Sequence, residues 1–370
     1  MTTTSTLSRA VTDLPRGTPE PRATSPHLAI LTPELAPARP ETGALERLAI
    51  GWASELAEVV NVSLGTFLHH RIPQEADLGS FSRVLIDPSQ PLAQLRAHGI
   101  THVVVHNRPH WLDELELPGF VVLHSFDHAW TSPSDPYPPR DMRLRGQVYA
   151  VSKALADHAM RHHETGKGVG IMLPWVEDSF DRPRNTDQPA VDRLLFPNRI
   201  SPRKGVRETL HAMKLAGVGV DFVENIAPNE RPTVLQDELL RAILATPGCR
   251  LVPRTRHPNE TADLYRSYRA IIMPSTAPEG LGMVAAEAAV AGVAFGASAQ
   301  GGLTQLAHGY GTVLHPNEPA RYAQELTQLA SASPPSEAQR QRAARTFSRS
   351  RSLATFRDAL GTIGLDLPQR

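Results

Sequence analysis

The chain of 370 residues has a single cysteine, Cys249. It can form no internal disulfide and no cysteine-based zinc cage, so the fold must stand on packing. The compartment to expect is a reducing one, the cytoplasm. Aromatic residues are scarce at 5%, too few for a platform that stacks single strands. An excess of either charge is also missing, since 38 Lys and Arg face 38 Asp and Glu. A general nucleic-acid binder carries surplus cations to neutralise phosphates. A protein held electrostatically on anionic lipid needs a basic cluster beyond its own acids. Neither a nucleic acid nor a stable membrane anchor is therefore expected as a partner. Long apolar runs are absent too. The longest small-apolar stretch, Gly282 to Ala299, contains Glu287 and two further glycines, which suits a buried element rather than a membrane span. Residues 1–26 are rich in Thr, Ser and Pro without an apolar core. They read as a disordered tail, not a secretory signal.

What is present is alternation. Short apolar runs such as His27 to Leu31, Val60 to Phe67, Thr101 to His106 and Phe120 to His124 read as strands. Ala44 to Val59 spaces its apolar residues as a helix does, and Lys153 to His163 reads as another helix. Near-continuous Val and Ile between helices argues for a parallel sheet covered on both faces. A polar, turn-rich segment, Asp181 to Pro189, then reads as a linker. The pattern restarts with strands at 194–198, 218–224, 250–252 and 270–273 and helices at 206–216, 235–244, 259–268 and 283–291. Asn259 or Thr261 is the expected cap of the 259–268 helix. The class is α/β, with domains expected at 27–182 and 189–345 and a closing helix in 346–370 that packs back on the first domain. Chemistry is expected in the cleft between the two, at the carboxyl ends of the strands.

Two stretches carry that chemistry. In Pro274-Ser-Thr-Ala-Pro-Glu279-Gly-Leu-Gly-Met283-Val-Ala-Ala-Glu287, a strand ends, a loop with Gly280 and Gly282 follows, and a helix begins. Glycines let backbone approach a ligand, and the free N–H groups of the first turn favour an anion or a hydroxyl. Glu279 and Glu287 can both line an elongated ligand, each carboxylate accepting from vicinal hydroxyls. In Asn198-Arg199-Ile-Ser-Pro-Arg203-Lys204-Gly205, Arg199 follows a strand and Lys204 with Gly205 opens a helix, so that these two cations converge on its N-terminus. A guanidinium fork and a lysine point charge suit a diphosphate. On this reading the cations gather at one helix start and the carboxylates at another, so the charges are kept apart across the cleft. No set of His, Cys and acids has the spacing of a metal site, and His158 and His162 lack a third ligand.

Together these motifs resemble the retaining glycosyltransferases of family 4, which have the GT-B fold of two facing Rossmann-like domains. Leu173-Pro-Trp175-Val-Glu-Asp-Ser-Phe180 resembles the segment leaving the first domain, and Gly301-Gly-Leu303 the stretch after the acidic helix. The resemblance covers roughly residues 27–360. It implies transfer of a hexose-type sugar from a UDP- or GDP-linked nucleotide sugar, with no other cofactor and no metal, to a small-molecule acceptor. Arg199 and Lys204 would hold the diphosphate, with Gly43 approaching it from the first domain. Glu279 would hold the sugar, together with His124 at the end of a first-domain strand, and Glu287 the ribose. Val252, Gly280, Leu281, Gly282 and Met283 would complete the donor site. Asp127 and His128 would face the acceptor.

The sequence departs from the family pattern at four places. Thr42 replaces the first glycine of a pair, Trp175 stands near the usual Asn-Gly, Val223-Glu-Asn-Ile replaces Gly-x-Gly, and Gln305 replaces a common Glu. Two alternatives keep the fold: a nucleotide-sugar epimerase or phosphorylase, and a degenerate protein that binds nucleotide sugar without turnover. The Ala-, Pro- and Arg-rich composition suits an enzyme that decorates natural products.

Overall fold

Runs such as Leu28-Ala29-Ile30-Leu31 and Val103-Val104-Val105 have no polar side to present to water. They need a layer on both faces. In the computed structural model of the chain both runs are fully buried, on adjacent central strands of a parallel sheet. The structure describes residues 25–32, 44–67, 82–87, 89–126, 143–144, 146–162, 164–165, 167–182, 191–224, 233–255 and 257–367.

The first half runs β1 (His27–Leu31), α1 (Ala44–Leu56), β2 (Asn61–Phe67), β3 (Ser82–Ile86), α2 (Pro91–Ala97), β4 (His102–His106), α3 (Pro109–Leu115), β5 (Gly119–Leu123), β6 (Arg143–Leu144), β7 (Gln147–Ala150), α4 (Lys153–His162), β8 (Glu164–Thr165) and β9 (Val169–Ile171). Its main sheet has the order β3-β2-β1-β4-β5-β7-β9, and β6 pairs with β8. The second half runs β10 (Val191–Phe196), α5 (Val206–Ala216), β11 (Val220–Val223), α6 (Val234–Leu244), β12 (Cys249–Val252), α7 (Pro258–Ser267), β13 (Tyr268–Met273), α8 (Met283–Val290), β14 (Ala294–Ser298), α9 (Leu303–Tyr310), β15 (Thr312–Leu314), α10 (Pro319–Ala330), α11 (Glu337–Thr346) and α12 (Arg349–Gly361). Its sheet has the order β12-β11-β10-β13-β14-β15.

Every pairing in both large sheets is parallel. The strand order reverses between β1 and β4 in one half and between β10 and β13 in the other. At such a reversal the loops leaving the two strands part company, and a crevice opens at their carboxyl ends. The chain therefore builds two crevices. The carboxyl ends of β1 and β4 flank one, with that of β5 next to β4, and those of β10 and β13 flank the other.

Packing joins the halves. A single apolar cluster contains Trp52 and Phe120 from the first half, Leu281 and Ala285 from the second, and Phe356 of α12. Phe356 stacks on Trp52 at 4.2 Å between ring centres and meets Phe120 edge-on. Arg349, at the start of α12, pairs with Glu55 of α1 at 2.6 Å. A second cluster, with Phe196, Phe222 and Tyr322, fills the other face of the second sheet.

Local expectations are corrected in places. The 259–268 helix starts one residue earlier, at Pro258, and neither Asn259 nor Thr261 caps it. Proline at the first helical position presets φ, and Glu260 accepts the backbone N–H of His257. The two-turn helices α2 and α3, both opened by proline, and the elements β14 to α11 have no counterpart in the sequence reading. Most of the 1–26 tail and part of the linker lie outside the described residues.

Candidate active site in the interdomain cleft

Because β10 and β13 are neighbours, the loops that follow them lie side by side. Thr276 N–H donates to the Arg203 carbonyl at 2.9 Å. Gly205 takes φ +79° between the short turn Pro202–Lys204 and α5, and a Cβ there would lie 2.0 Å from the Pro274 carbonyl oxygen. Only glycine satisfies both the left-handed backbone and that approach. The result is a direct ion pair: Lys204 Nζ sits on Glu279 Oε1, which also accepts Ser275 Oγ at 2.6 Å. The expectation that cations and carboxylates stay apart is thus corrected. The separation of 75 positions between Lys204 and Glu279 is bridged by one strand adjacency. Arg199 lies exposed just beyond β10 and makes no ion pair among the described residues.

Gly280 and Gly282 serve the protein's own packing. A Cβ on Gly280 would lie 1.8 Å from the carbonyl oxygen of His124, in the opposite half. The Gly280 carbonyl accepts Ser152 Oγ, just before α4, at 2.5 Å. Gly282 has φ +94° at the start of α8, where a Cβ would strike Leu303. The side chain of Leu281 is buried in the core, so any contact it makes with a ligand comes from its backbone. Met283 is half-buried and lines a small cavity with Arg47, Leu48, Pro174, Trp175, Glu177 and Glu287. Val252 ends β12, half-buried, with its carbonyl taken by Glu224 N–H.

Glu287 is buried, accepts Tyr265 Oη–H at 3.2 Å and lies 3.9 Å from Arg47 Nη2. Burial raises its pKa above the usual carboxylate range, and Arg47 opposes that shift. Burial and the neighbouring carboxylate hold the Tyr265 phenol well above its usual range.

His124 follows β5. Its backbone N–H donates to Asn107 Oδ1 at 2.6 Å, and its Nε2 meets His106 Nδ1 at 2.8 Å. Burial pushes its pKa down to about 3, so the ring is neutral at ordinary pH. Gly43, Thr42, Asp127 and His128 lie outside the described residues.

The sequence reading missed Ser275, Ser152, Asn107, Arg47 and Tyr265, and it placed His106 only at the end of a strand. Two of the departures acquire contacts. The Gln305 side chain accepts Lys153 N–H at 3.4 Å across the cleft, at the first turn of α4. Trp175 is buried against Gly51, with Arg349 over its ring at 5.5 Å.

Comparison with known proteins fits this geometry. Residues 178–346 match the family model for glycosyl transferases group 1. That family description names glycosyltransferases, and the whole chain has the two-domain GT-B fold. It is similar to D-inositol 3-phosphate glycosyltransferase 1 of Catenulispora acidiphila, 26% identical over 323 residues and 75% of each chain. Among solved structures, a glycosyltransferase from Rickettsia africae shares the fold with a TM-score of 0.68 at 18% identity, covering 91% of this chain and 98% of that one. HepE of Anabaena, solved with UDP-glucose, gives 0.64 at 15% identity, with 91% and 99% covered. The match to group 1 overturns the narrower assignment to retaining family 4, because the family model that fits residues 178–346 does not single out that family. No helix among the described residues is long and apolar enough to cross a membrane.

Proposed function

We propose that this GT-B glycosyltransferase moves a hexose from a UDP- or GDP-linked sugar to a small hydroxyl-bearing acceptor, with the anomeric configuration retained. The observation that carries the reading is the Lys204–Glu279–Ser275 group at the β10–β13 crevice, one residue from the seam where Gly280 meets His124. A diphosphate entering the crevice would take Lys204 from Glu279, with Arg199 and the first turn of α8 adding positive charge. Glu279, released, would accept hydrogen bonds from sugar hydroxyls. Glu287, held by Tyr265, would accept from the ribose, and His124 would meet the hydroxymethyl end of the sugar. Gly43 would approach the diphosphate from the first half, and Asp127 and His128 would meet the acceptor. HepE, solved with UDP-glucose, supports a UDP-linked hexose. The relative named for D-inositol 3-phosphate supports a small polyhydroxylated acceptor, and an avilamycin-pathway glycosyltransferase of the same fold keeps natural products in view.

Retention is favoured by how the acids and the histidine are engaged. Inversion needs a general base poised opposite the leaving group. With donor bound, Glu279 would be engaged by Ser275 and the sugar hydroxyls, Glu287 by Tyr265 and the ribose, and His124 Nε2 by His106. The departing phosphate is then the base that takes the acceptor proton, on the same face. Protein cations would carry the leaving charge, so turnover should persist in a chelator. Lys204→Ala and Glu279→Ala should each abolish turnover in folded protein. Anomeric proton couplings of the product, measured by NMR, decide stereochemistry, and an inverted product refutes the mechanism.

A further inference from the structure

His124 is gripped by two consecutive residues that leave β4. Asn107 adopts φ +53°, a left-handed conformation that Asn tolerates better than most residues, and this turns its Oδ1 onto the His124 N–H. His106 holds the ring: the two imidazoles lie 4.9 Å apart, tilted by 26°, with Nδ1 of His106 on Nε2 of His124. His106 is fully buried, and its other nitrogen, Nε2, has no partner among the described residues.

That orphaned atom decides which ring donates. In a neutral imidazole one nitrogen carries the proton and the other is bare. If His124 donated from Nε2, His106 would carry its own proton on Nε2, a buried N–H bonded to nothing. Buried donors without partners are costly, of the order of 1–3 kcal/mol, and rarer than under-used acceptors. Trp52, whose ring lies 5.5 Å from that of His106, already has its indole N–H buried and without a partner among the described residues. The alternative tautomer would place a second orphan donor in the same pocket. With the proton of His106 on Nδ1, the buried Nε2 is a bare acceptor and the indole remains the one orphan donor of this pair of rings. Burial, and for His106 the neighbouring ring, hold both histidines below their usual pKa. Neither ring is then cationic, and the either-or choice of proton holds.

The geometry points to His106 as the positioning residue of the site: its Nδ1–H donates to His124 Nε2, which leaves the His124 proton on Nδ1, a hydrogen-bond donor for an oxygen of the bound sugar. His124 then serves as a donor and not as a proton acceptor towards the ligand. The last step, the sugar oxygen, rests on the proposed function, whereas the tautomer does not.

The test uses the full ligand-free chain labelled with 15N-histidine and long-range 1H–15N correlations, which separate protonated from bare ring nitrogens. His106→Asn and His124→Gln spectra assign the two rings. The expected result is a protonated Nδ1 and a bare Nε2 on both. A protonated Nε2 on His124, or a charged ring at neutral pH, overturns the proposal. His106→Asn keeps a side-chain N–H near the Nδ1 position. It should preserve the His124 tautomer and leave the KM for UDP-glucose within about threefold. His106→Leu removes the donor. It should mix the His124 tautomers and raise that KM about tenfold, the worth of one hydrogen bond, with a smaller change in kcat. Equal KM and an unchanged tautomer in the Leu variant also overturn it. If the Leu variant does not fold, the wild-type spectrum decides. An Nδ1–H tautomer in a protein that turns over no nucleotide sugar would refute the functional reading and uphold the role of His106.

Discussion

Gly280→Ala probes the seam on which the site is built. Gly280 does not adopt a left-handed φ, so the substitution tests space alone and not backbone strain. The new methyl carbon would stand 1.8 Å from the His124 carbonyl oxygen, whereas ordinary contact begins at 3.4 Å. Both atoms are held by backbone, so no flexible side chain can give way, and the halves must part by roughly 1.6 Å at this point. Overpacking of this kind costs about 1–3 kcal/mol, a fall in Tm of roughly 2–8 °C. The effect on transfer should be larger. A misplacement of about 1 Å costs on the order of 100-fold in rate, and here Glu279 and His124 are displaced relative to each other. The assay is kcat/KM from nucleotide release, with Tm measured beside it. Ser152→Ala is the control. It removes the donor to the Gly280 carbonyl and costs about 1–3 kcal/mol, but inserts nothing. Its kcat/KM should stay within a few-fold of wild type. A Gly280→Ala enzyme with wild-type kcat/KM, or equal losses in the two variants, would refute the claim that close approach of the halves sets the catalytic geometry.

Three further outcomes are expected. Burial raises the pKa of Glu287 in the folded state, so its stabilising contribution is full below the unfolded value and is lost as pH rises through the raised one. Glu287→Gln should therefore flatten the decline of stability above about pH 4.5, seen in urea titrations at several pH values, and an unchanged slope would count against it. Phe356→Ala removes the ring that ties α12 to Trp52 and Phe120. A loss of about 3–5 kcal/mol is expected by chemical denaturation, and a loss below 1 kcal/mol would mean that the helix does not anchor the first half. Gly205→Ala forces φ +79° on a side chain and drives a Cβ into the Pro274 carbonyl. It should lower Tm and weaken UDP binding together by calorimetry, and tight UDP binding in that variant would detach the Lys204 loop from the donor site.

Much of the scaffold was legible in the chain because its signals are local. Helix α5 was readable from Val206 to Ala216 because a left-handed glycine stands at each end, Gly205 at φ +79° and Gly217 at φ +64°. The strands were readable because an apolar run without a polar face has to be covered on both sides. The short helices α2 and α3 were not, since two turns give too little periodicity to separate from a loop. Lys204 and Glu279 were legible as residues that carry chemistry, but not as partners, and the glycines of the acidic loop suggested a ligand rather than the opposite half of the molecule.

The sequence by itself determined two α/β units, the positions of most strands and the residues that bear charge at strand ends. Each of these follows from side-chain spacing within a few residues. Strand order and the return of α12 were decided only by the tertiary structure, and with them the partners of every group in the cleft. β10 lies beside β13, so Lys204 meets Glu279; β4 lies beside β5, so His106 holds His124. Adjacency in a parallel sheet is chosen by burial over the whole domain, and no local pattern encodes it.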